Sequence, residues 1–196
     1  MARLQTSFIL GYHGCQAEVG EAVLSGAAKL IGSNEDFHWL GPGVYFWESD
    51  PLRAWEWADW KTSGGDIQEP FVIGAAIDLG NCLDLLARDS LELVQQAYSS
   101  FVATVTAMDE RAALPHNKRA GSKDEDNLLR FLDCAVIKHL HSAIEVQGEE
   151  PFDTVRGLFT EGEELFPGSG FQKKTHIQIA VRNPDCIKGL FRAARP

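Results

Sequence analysis

Three short segments, far apart in the 196-residue chain, each place one polar side chain beside backbone that is typical of a strand or a tight turn. The polar residues are His13, Tyr45 and Gln178. A strand-end histidine followed by Gly14 leaves a ring exposed and a backbone that a ligand can approach closely. Taken singly, each has an ordinary alternative: a histidine packed before a turn, an aromatic core residue, or a glutamine on the solvated face of an edge strand. The order and context of the three are therefore more informative than any one of them.

The turn before Tyr45 is the most specific of these features. Two glycines flank a proline at 41–43, which makes a rigid and sterically open turn. The strand that follows presents Tyr45 on one face and Val44 and Phe46 on the other. Gln178 lies in the alternating segment HIQIAV at 176–181, which predicts a half-buried strand. A polar side chain that projects from such a strand needs a hydrogen-bond partner.

In their order and context, the three segments resemble the His-Tyr-Glu signature of the PARP-like, diphtheria-toxin-type ADP-ribosyltransferases. They read GYHGC at 11–15, LGPGVYF at 40–46 and THIQIAV at 175–181. Gln178 stands where the best-known members carry glutamate. The resemblance covers nearly the whole chain. It implies that the protein takes NAD as a substrate and breaks the nicotinamide–ribose bond.

The resemblance also implies a role for each matching residue. His13 would orient NAD through ribose hydroxyls, and Tyr45 would stack on nicotinamide together with Trp57, since a ring face is electron-rich and the pyridinium is cationic. Gln178 would bond the 2′-hydroxyl of the nicotinamide ribose. The implied catalytic residues are Gln178, Tyr45 and His13, and the implied NAD-binding residues are His13, Gly14, Gly43, Tyr45, Trp57 and Gln178. One position departs from the pattern: Arg53 stands where many relatives carry a serine that bonds the nicotinamide amide.

Glutamine at position 178 limits the chemistry. Cleavage of the glycosidic bond gives an oxocarbenium-like transition state, which a carboxylate would stabilise. The Gln178 amide accepts the same hydrogen bond but brings no charge, and it cannot act as a general base. Polymer synthesis is therefore disfavoured, and a single transfer to a protein or nucleic-acid acceptor is favoured. The loop before the strand offers three carboxylates that could assist, Glu161, Glu163 and Glu164.

Other functions remain open at this point. They are an NAD glycohydrolase, a catalytically inactive NAD- or ADP-ribose-binding module, and a domain that keeps only the fold. His176 stands two residues before Gln178, where arginine-modifying relatives carry glutamate, so arginine specificity is not predicted. Family analogy suggests a bacterial toxin or defence effector, with an antitoxin or immunity protein as a partner.

The elements that must position these residues follow from hydrophobic periodicity and turn signals. Strands are predicted over 5–13, 44–47, 71–79, 152–159, 175–182 and 187–191. Helices are predicted over 17–31, 51–60, 83–108 and 127–142, the third of them broken or in two pieces, with polar loops over 115–126 and 160–174. This order predicts an α+β class in a single domain, 1–196. The resemblance implies an ADP-ribosyltransferase-like fold, in which split antiparallel β-sheets with flanking helices enclose an NAD cleft.

The composition of the chain limits which classes of partner we expect. The net charge is −10 and the pI is about 5.0, and this acidic excess opposes strong non-specific binding to nucleic acid. Four separated cysteines show neither a C-x-x-C motif nor zinc spacing, so we expect reduced thiols, no metal and a cytoplasmic location. No apolar run approaches the roughly 20 residues needed to span a bilayer, so no membrane partner is expected.

Overall fold

The computed structural model of the chain describes residues 8–121 and 126–195. Seven strands lie in these ranges: β1 (Ile9–Gln16), β2 (Val44–Glu48), β3 (Pro70–Ile77), β4 (Cys82–Asp84), β5 (Thr154–Phe159), β6 (His176–Val181) and β7 (Ile187–Arg192). Four α-helices accompany them: α1 (Ala17–Leu24), α2 (Pro51–Ser63), α3 (Arg88–Met108) and α4 (Phe131–Gln147). The predicted α+β class is confirmed.

The strands form one sheet of seven, in the order β4-β5-β6-β2-β1-β3-β7. Neighbours pair antiparallel except β4 and β5, which are parallel, so the sheet is mixed. This single mixed sheet differs in two ways from the split antiparallel sheets that the resemblance implies. The hydrogen-bonded ladder is continuous, and the short strand β4 adds a parallel edge.

The ladder is narrowest at its centre, between β1 and β2. These strands pair only at Gly11–Glu48 and Tyr12–Trp47. By contrast, β1 pairs with β3 over eight residue pairs, and β2 pairs with β6 over four. Beyond Tyr12, the edge of β1 that faces β2 therefore has no paired strand residue.

Helices cover both faces of the sheet. Helix α4 packs Val136, Ile137 and Leu140 against Val155 and Ala180 on one face. Helix α2 covers the same face further along, where Ala54 and Trp55 meet Trp47 and Val72. Helix α1 lies on the opposite face, where Val23 meets Phe71 and Ile73. Phe46 and Ile179 are fully buried on that opposite face. Burial of each such side chain stabilises the fold by about 1.5–3 kcal/mol.

A charged cluster crosses the same face as Phe46. Arg156 donates from Nη2 to Glu48 Oε1 over 2.8 Å and from Nη1 to Asp84 Oδ2 over 3.1 Å. These three residues come from β5, β2 and β4, and the side chains of Arg156 and Glu48 are each 15% exposed. A half-buried guanidinium that is bonded on two sides ties the β4 edge to the centre of the sheet.

Two predicted helices are shorter than expected. The 17–31 prediction is wrong after Leu24, because the backbone N–H groups of Ala27 and Ala28 both return to the carbonyl of Ala22 and close a turn. The 83–108 prediction is wrong at its start. Leu83 pairs with Val155 inside β4, and helix α3 begins only at Arg88. The apolar residues that predicted a helix in two pieces therefore belong to a strand and a helix.

Other boundaries move by a few residues. The prediction for the fourth helix starts too early, since Leu129 exchanges two backbone hydrogen bonds with Lys118 and cannot be helical. Helix α2 continues to Ser63 and β1 to Gln16. Residues 5–7 of the first predicted strand and residues 122–125 of the predicted 115–126 loop lie outside the described residues. The 160–174 loop turns back on itself through a bridge between Glu164 and Gln172.

Candidate functional site

The sheet brings the three signature residues onto adjacent strands. His13 lies on β1, Tyr45 on β2 and Gln178 on β6, and these strands follow one another in the order β6-β2-β1. Gln178 is paired with Trp47, two residues beyond Tyr45 on the same strand face. The site therefore forms at the centre of the sheet, beside its narrow junction.

His13 bridges that junction through its side chain. Its Nδ1 donates to the backbone carbonyl of Tyr45 over 2.8 Å. Because a carbonyl oxygen only accepts, Nδ1 carries the proton, and Nε2 of the neutral ring is left as an acceptor. Burial lowers the pKa of His13 and outweighs the raising effect of this hydrogen bond, so the ring is neutral at pH 7. The described residues offer Nε2 no hydrogen bond, so it can accept one from a ligand hydroxyl.

Gly14 lies where helix α2 comes closest to β1. A Cβ built on Gly14 would lie 2.8 Å from the carbonyl oxygen of Ala54 and 2.9 Å from the Trp57 ring. Only glycine allows this approach. The Trp57 ring, half-buried, also lies 6.0 Å from the Trp47 ring. Gly14 and Trp57, two of the residues expected to bind NAD, are therefore direct neighbours.

The Tyr45 hydroxyl is fixed by the turn that precedes it. It donates to the carbonyl of Gly41 over 2.8 Å and accepts from the backbone N–H of Leu40 over 3.0 Å. Burial raises the pKa of Tyr45, so the phenol stays protonated. The His38 ring lies 5.0 Å from the Tyr45 ring. With its hydroxyl held by backbone, Tyr45 can contribute a ring surface but not a free phenol.

Gln178 has a partner that the sequence did not predict, Trp39. The indole Nε1 of Trp39 donates to Gln178 Oε1 over 2.7 Å. The Trp39 indole packs against Gly157, the β5 residue paired with Gln178, where a Cβ would come within 2.5 Å of the indole. The oxygen of Gln178 has two lone pairs, so it can accept one further hydrogen bond. The sequence signal for this contact was an aromatic residue two positions before the Gly-Pro-Gly turn.

The side chains of the three signature residues do not meet at one point. Tyr45 and Gln178 project from the face that carries Trp47, whereas the His13 ring lies 5.7 Å from the ring of Phe46 on the other side of β2. Among the described residues, no contact joins His13 to Gln178. A ligand that touches both must reach through the opening between β1 and β2.

One of the three loop carboxylates lies against the site. Glu161 accepts from Arg53 Nη2 over 2.8 Å, and both side chains are 15% exposed. Burial lowers the pKa of the neighbouring His176, and the charges of Arg53 and Glu161 act on it in opposite directions. Glu163 is instead paired with Lys173 at the surface. Arg53, at the position where the resemblance would place a serine, thus holds a guanidinium that positions a carboxylate.

Glu164 and Gly43 both make hydrogen bonds with backbone groups of neighbouring segments. Glu164 accepts from the N–H of Gly168 over 2.8 Å within the 160–174 loop. Gly43 exchanges two hydrogen bonds with Ser33, and a Cβ on it would lie 2.9 Å from the carbonyl oxygen of Val181. No described contact joins Gly43 to His13, so its role in NAD binding stays a prediction.

Two cavities flank the site. One, of about 540 Å³, lies between α3, α4 and β5 and includes Trp39 in its wall. The other, of about 370 Å³, is lined by Gly43 and Ser33 among others. Neither is lined by His13, Tyr45 or Gln178.

Neither a metal cluster nor a membrane-spanning helix lies in the described ranges. Residues 8–121 and 126–195 contain no group of three or more His, Cys, Asp or Glu residues that could hold a metal ion. No helix within these ranges combines the length and the apolar character needed to cross a membrane.

The chain is similar to a protein from an archaeon. The chain is 24% identical over 200 residues to an uncharacterized protein of Methanocaldococcus jannaschii, an alignment that covers 91% of this chain and 84% of the relative. No family model matches the chain, and no solved structure matches it. The similarity to the relative assigns no activity, so function must be argued from the site.

Proposed function

We propose that the protein is an NAD-dependent mono-ADP-ribosyltransferase, which cleaves the nicotinamide–ribose bond of NAD and transfers ADP-ribose to a protein or nucleic-acid acceptor. The observation that carries the proposal is the adjacency of β6, β2 and β1, which gathers the three signature segments from both ends of the chain. A signature that arose by chance would have no reason to fall on three consecutive strands of one sheet.

The junction between β1 and β2 offers groups that could bind the nicotinamide end of NAD. Pairing stops after Tyr12, so the backbone of Gly14 can bond the nicotinamide amide. Trp57 lies against Gly14, and the Tyr45 ring is held at the opposite strand. The free Nε2 of His13 is an acceptor for a ribose hydroxyl. In the proposed fold, this opening corresponds to the split between two half-sheets.

The proposed reaction needs no group beyond NAD and an acceptor. The bond between ribose C1′ and the nicotinamide nitrogen breaks, and its electron pair leaves with neutral nicotinamide. Positive charge develops on the ribose, and Gln178 Oε1 accepts a hydrogen bond from the 2′-hydroxyl as it does so. The acceptor's lone pair then forms the new bond to C1′, and the acceptor loses a proton. Trp39 holds the Gln178 amide in one orientation for this step.

The 160–174 loop fits a role in the choice of acceptor. Its two arms are joined by backbone hydrogen bonds, including Leu165 N–H to Phe171 O over 2.9 Å. Three apolar side chains near its turn are more than half exposed: Leu165, Phe166 and Phe171. Because Lys174 leads directly into β6, this surface lies close to Gln178 in the chain. A protein acceptor would bury it.

One observation favours a second candidate, a binding module without turnover. Gln178 brings no charge, and its oxygen is already bonded to Trp39.

An NAD glycohydrolase, in which water takes the place of the acceptor, would use the same site. The biological context that we propose by analogy is a toxin or defence effector, held in check by an antitoxin or immunity partner.

The test is nicotinamide release from NAD by the purified protein, with and without cell lysate. Release that requires lysate and is lost in Gln178→Ala and Tyr45→Ala supports a transferase, and label from NAD then identifies the acceptor. Release without lysate assigns a glycohydrolase. Thermal stabilisation by NAD without release assigns a binding module. Gln147→Ala, at the exposed end of α4, is the matched control and should behave as wild type. The proposal would be overturned if the protein neither released nicotinamide from NAD nor bound NAD.

A further inference from the structure

The 540 Å³ cavity between α3, α4 and β5 lies outside the site described above but touches it at one residue. Trp39 forms part of its wall and also donates to Gln178. Its volume falls in the range of about 300–1,000 Å³ that is usual for small-molecule sites. A ligand in this cavity would therefore contact the residue that orients Gln178.

The walls of the cavity suit a planar ring. Trp39 and Phe159 meet edge to face, with ring centroids 5.3 Å apart and planes at 63°. Tyr98 and Leu91, from α3, line the cavity and are 41% and 51% exposed. Exposed aromatic and aliphatic groups around a concave site favour stacking of a flat ligand.

The polar groups of the cavity carry no net charge. Arg130 Nη1 donates to Asp133 Oδ2 over 3.2 Å, so the cation and the anion in the wall pair with each other. The Arg130 guanidinium also lies 4.9 Å over the Phe159 ring. Its Nε–H is buried, and no described residue accepts a hydrogen bond from it. Gln95 adds an amide, which both donates and accepts. This combination selects a neutral ligand with hydrogen-bonding atoms at its edge.

We propose that this cavity binds a neutral, planar heteroaromatic ring that carries carbonyl or amide groups. Guanosine, cytidine, uridine and free nicotinamide share this chemistry. The Gln95 amide donates to an acceptor atom on the ring edge, and the aromatic wall contacts the ring. Binding itself is independent of catalysis, but its meaning rests on the proposed function: a nucleoside would mark the acceptor class, and nicotinamide a product site.

The experiment titrates the full chain with each of the four ribonucleosides and with nicotinamide, by calorimetry. Val94→Trp fills the cavity from α3, and Gln96→Trp places the same side chain on the exposed surface of that helix as a control. We expect binding of at least one probe that is weakened tenfold or more in Val94→Trp and unchanged in Gln96→Trp. Saturation by a nucleoside identifies an acceptor-type ring, and saturation by nicotinamide alone identifies the product.

Two results would overturn this assignment: no probe binds at millimolar concentration, or binding survives in Val94→Trp. If Val94→Trp does not fold, Tyr98→Ser at the exposed rim replaces it, with the same expected loss. Nicotinamide release from NAD is measured on the same samples. If the wild-type protein releases nicotinamide from NAD but binds none of the ring probes, only the assignment of the cavity is rejected. If it binds a ring probe but releases no nicotinamide, the proposed transferase activity is rejected and the assignment of the cavity stands.

Discussion

Trp39 and Gln178 are joined by a hydrogen bond of 2.7 Å from the indole N–H to the amide oxygen, across 139 positions of the chain. This contact connects the turn before β2 to the strand that carries the third signature residue. It fixes which end of the Gln178 amide faces the indole, and so which atom can meet a ligand.

Trp39→Phe removes the indole N–H and keeps an aromatic side chain at this position. We expect a loss of about 1 kcal/mol in the free energy of unfolding, because the Gln178 oxygen loses its partner in a half-buried position. If Gln178 acts on NAD, nicotinamide release should also fall about tenfold, as its orientation is lost. Denaturant unfolding and release assays check both. Trp60→Phe, at an exposed ring, is the control, and equal effects of the two would contradict the role of Trp39.

Gln178→Glu supplies the charge that the chain lacks at this position. A carboxylate near the developing oxocarbenium lowers the barrier, and each 1.4 kcal/mol is worth about tenfold in rate. We therefore expect faster nicotinamide release than in wild type. Trp39 can still donate to the carboxylate, so the fold should be retained. A slower rate in a folded Gln178→Glu variant would show that the amide is needed for another reason.

Gly14→Ala tests the contact between β1 and α2. The added methyl group would meet Ala54 and Trp57 below 3 Å, so the helix must shift. We expect a loss of about 1–3 kcal/mol in stability, as for other overpacked positions, together with weaker NAD binding. Calorimetry and thermal unfolding measure the two. Gly189→Ala on the edge strand β7 adds a methyl group in open space and should change neither.

Glu161→Gln tests whether the loop carboxylate assists Gln178. Glu161 is held by Arg53 beside His176, whereas Glu163 is 78% exposed and paired with Lys173. We expect nicotinamide release to fall in Glu161→Gln and to stay unchanged in Glu163→Gln, with NAD affinity retained in both. Identical rates in the two variants would leave Gln178 without a carboxylate helper.

The buried His141 predicts a loss of stability in mild acid. Both of its ring nitrogens are buried without a hydrogen bond to any described residue, and burial, helped by the charge of Arg182, lowers its pKa from 6.5 to about 4. The unfolded chain therefore takes up the proton first as the pH falls. Stability is complete above pH 6.5 and declines between 6.5 and about 4. From pH 7 to pH 5, this histidine should cost about 2 kcal/mol.

Denaturant unfolding at both pH values measures this loss. His141→Leu cannot titrate, so its stability should fall less than that of wild type over the same interval. Equal losses in the two proteins would assign the acid sensitivity to the other buried histidines, His13, His38 and His176, whose pKa values are also lowered by burial.

Much of the fold was predictable because strand periodicity and turn residues act locally. The Gly-Pro-Gly turn located β2, and the alternation around Gln178 located β6. Errors arose where tertiary pairing overrides local pattern. Leu83 has the apolar neighbours of a helix, yet its pairing with Val155 makes it a strand residue. Residues before Phe131 continue a helical pattern, yet Leu129 is bonded to Lys118.

The strands that carry the candidate site residues were predictable, but the contacts of those residues were not. A resemblance to a known signature indicated His13, Tyr45 and Gln178, whose role stays a prediction, and the sheet places their strands side by side. The bonds from Trp39 to Gln178 and from Arg53 to Glu161 join segments more than a hundred positions apart. No local pattern encodes such pairs, since they depend on which side chains the folded sheet brings within reach.

The two-pair junction between β1 and β2 has a mechanical consequence. The junction crosses the middle of the sheet, and thermal opening there breaks fewer hydrogen bonds than opening of the eight-pair ladder between β1 and β3. A molecule bound across the junction would hold the two halves of the sheet together and make their unfolding cooperative. Amide hydrogens near Gly11 and Trp47 should then exchange with solvent early in the free protein and late in the bound one.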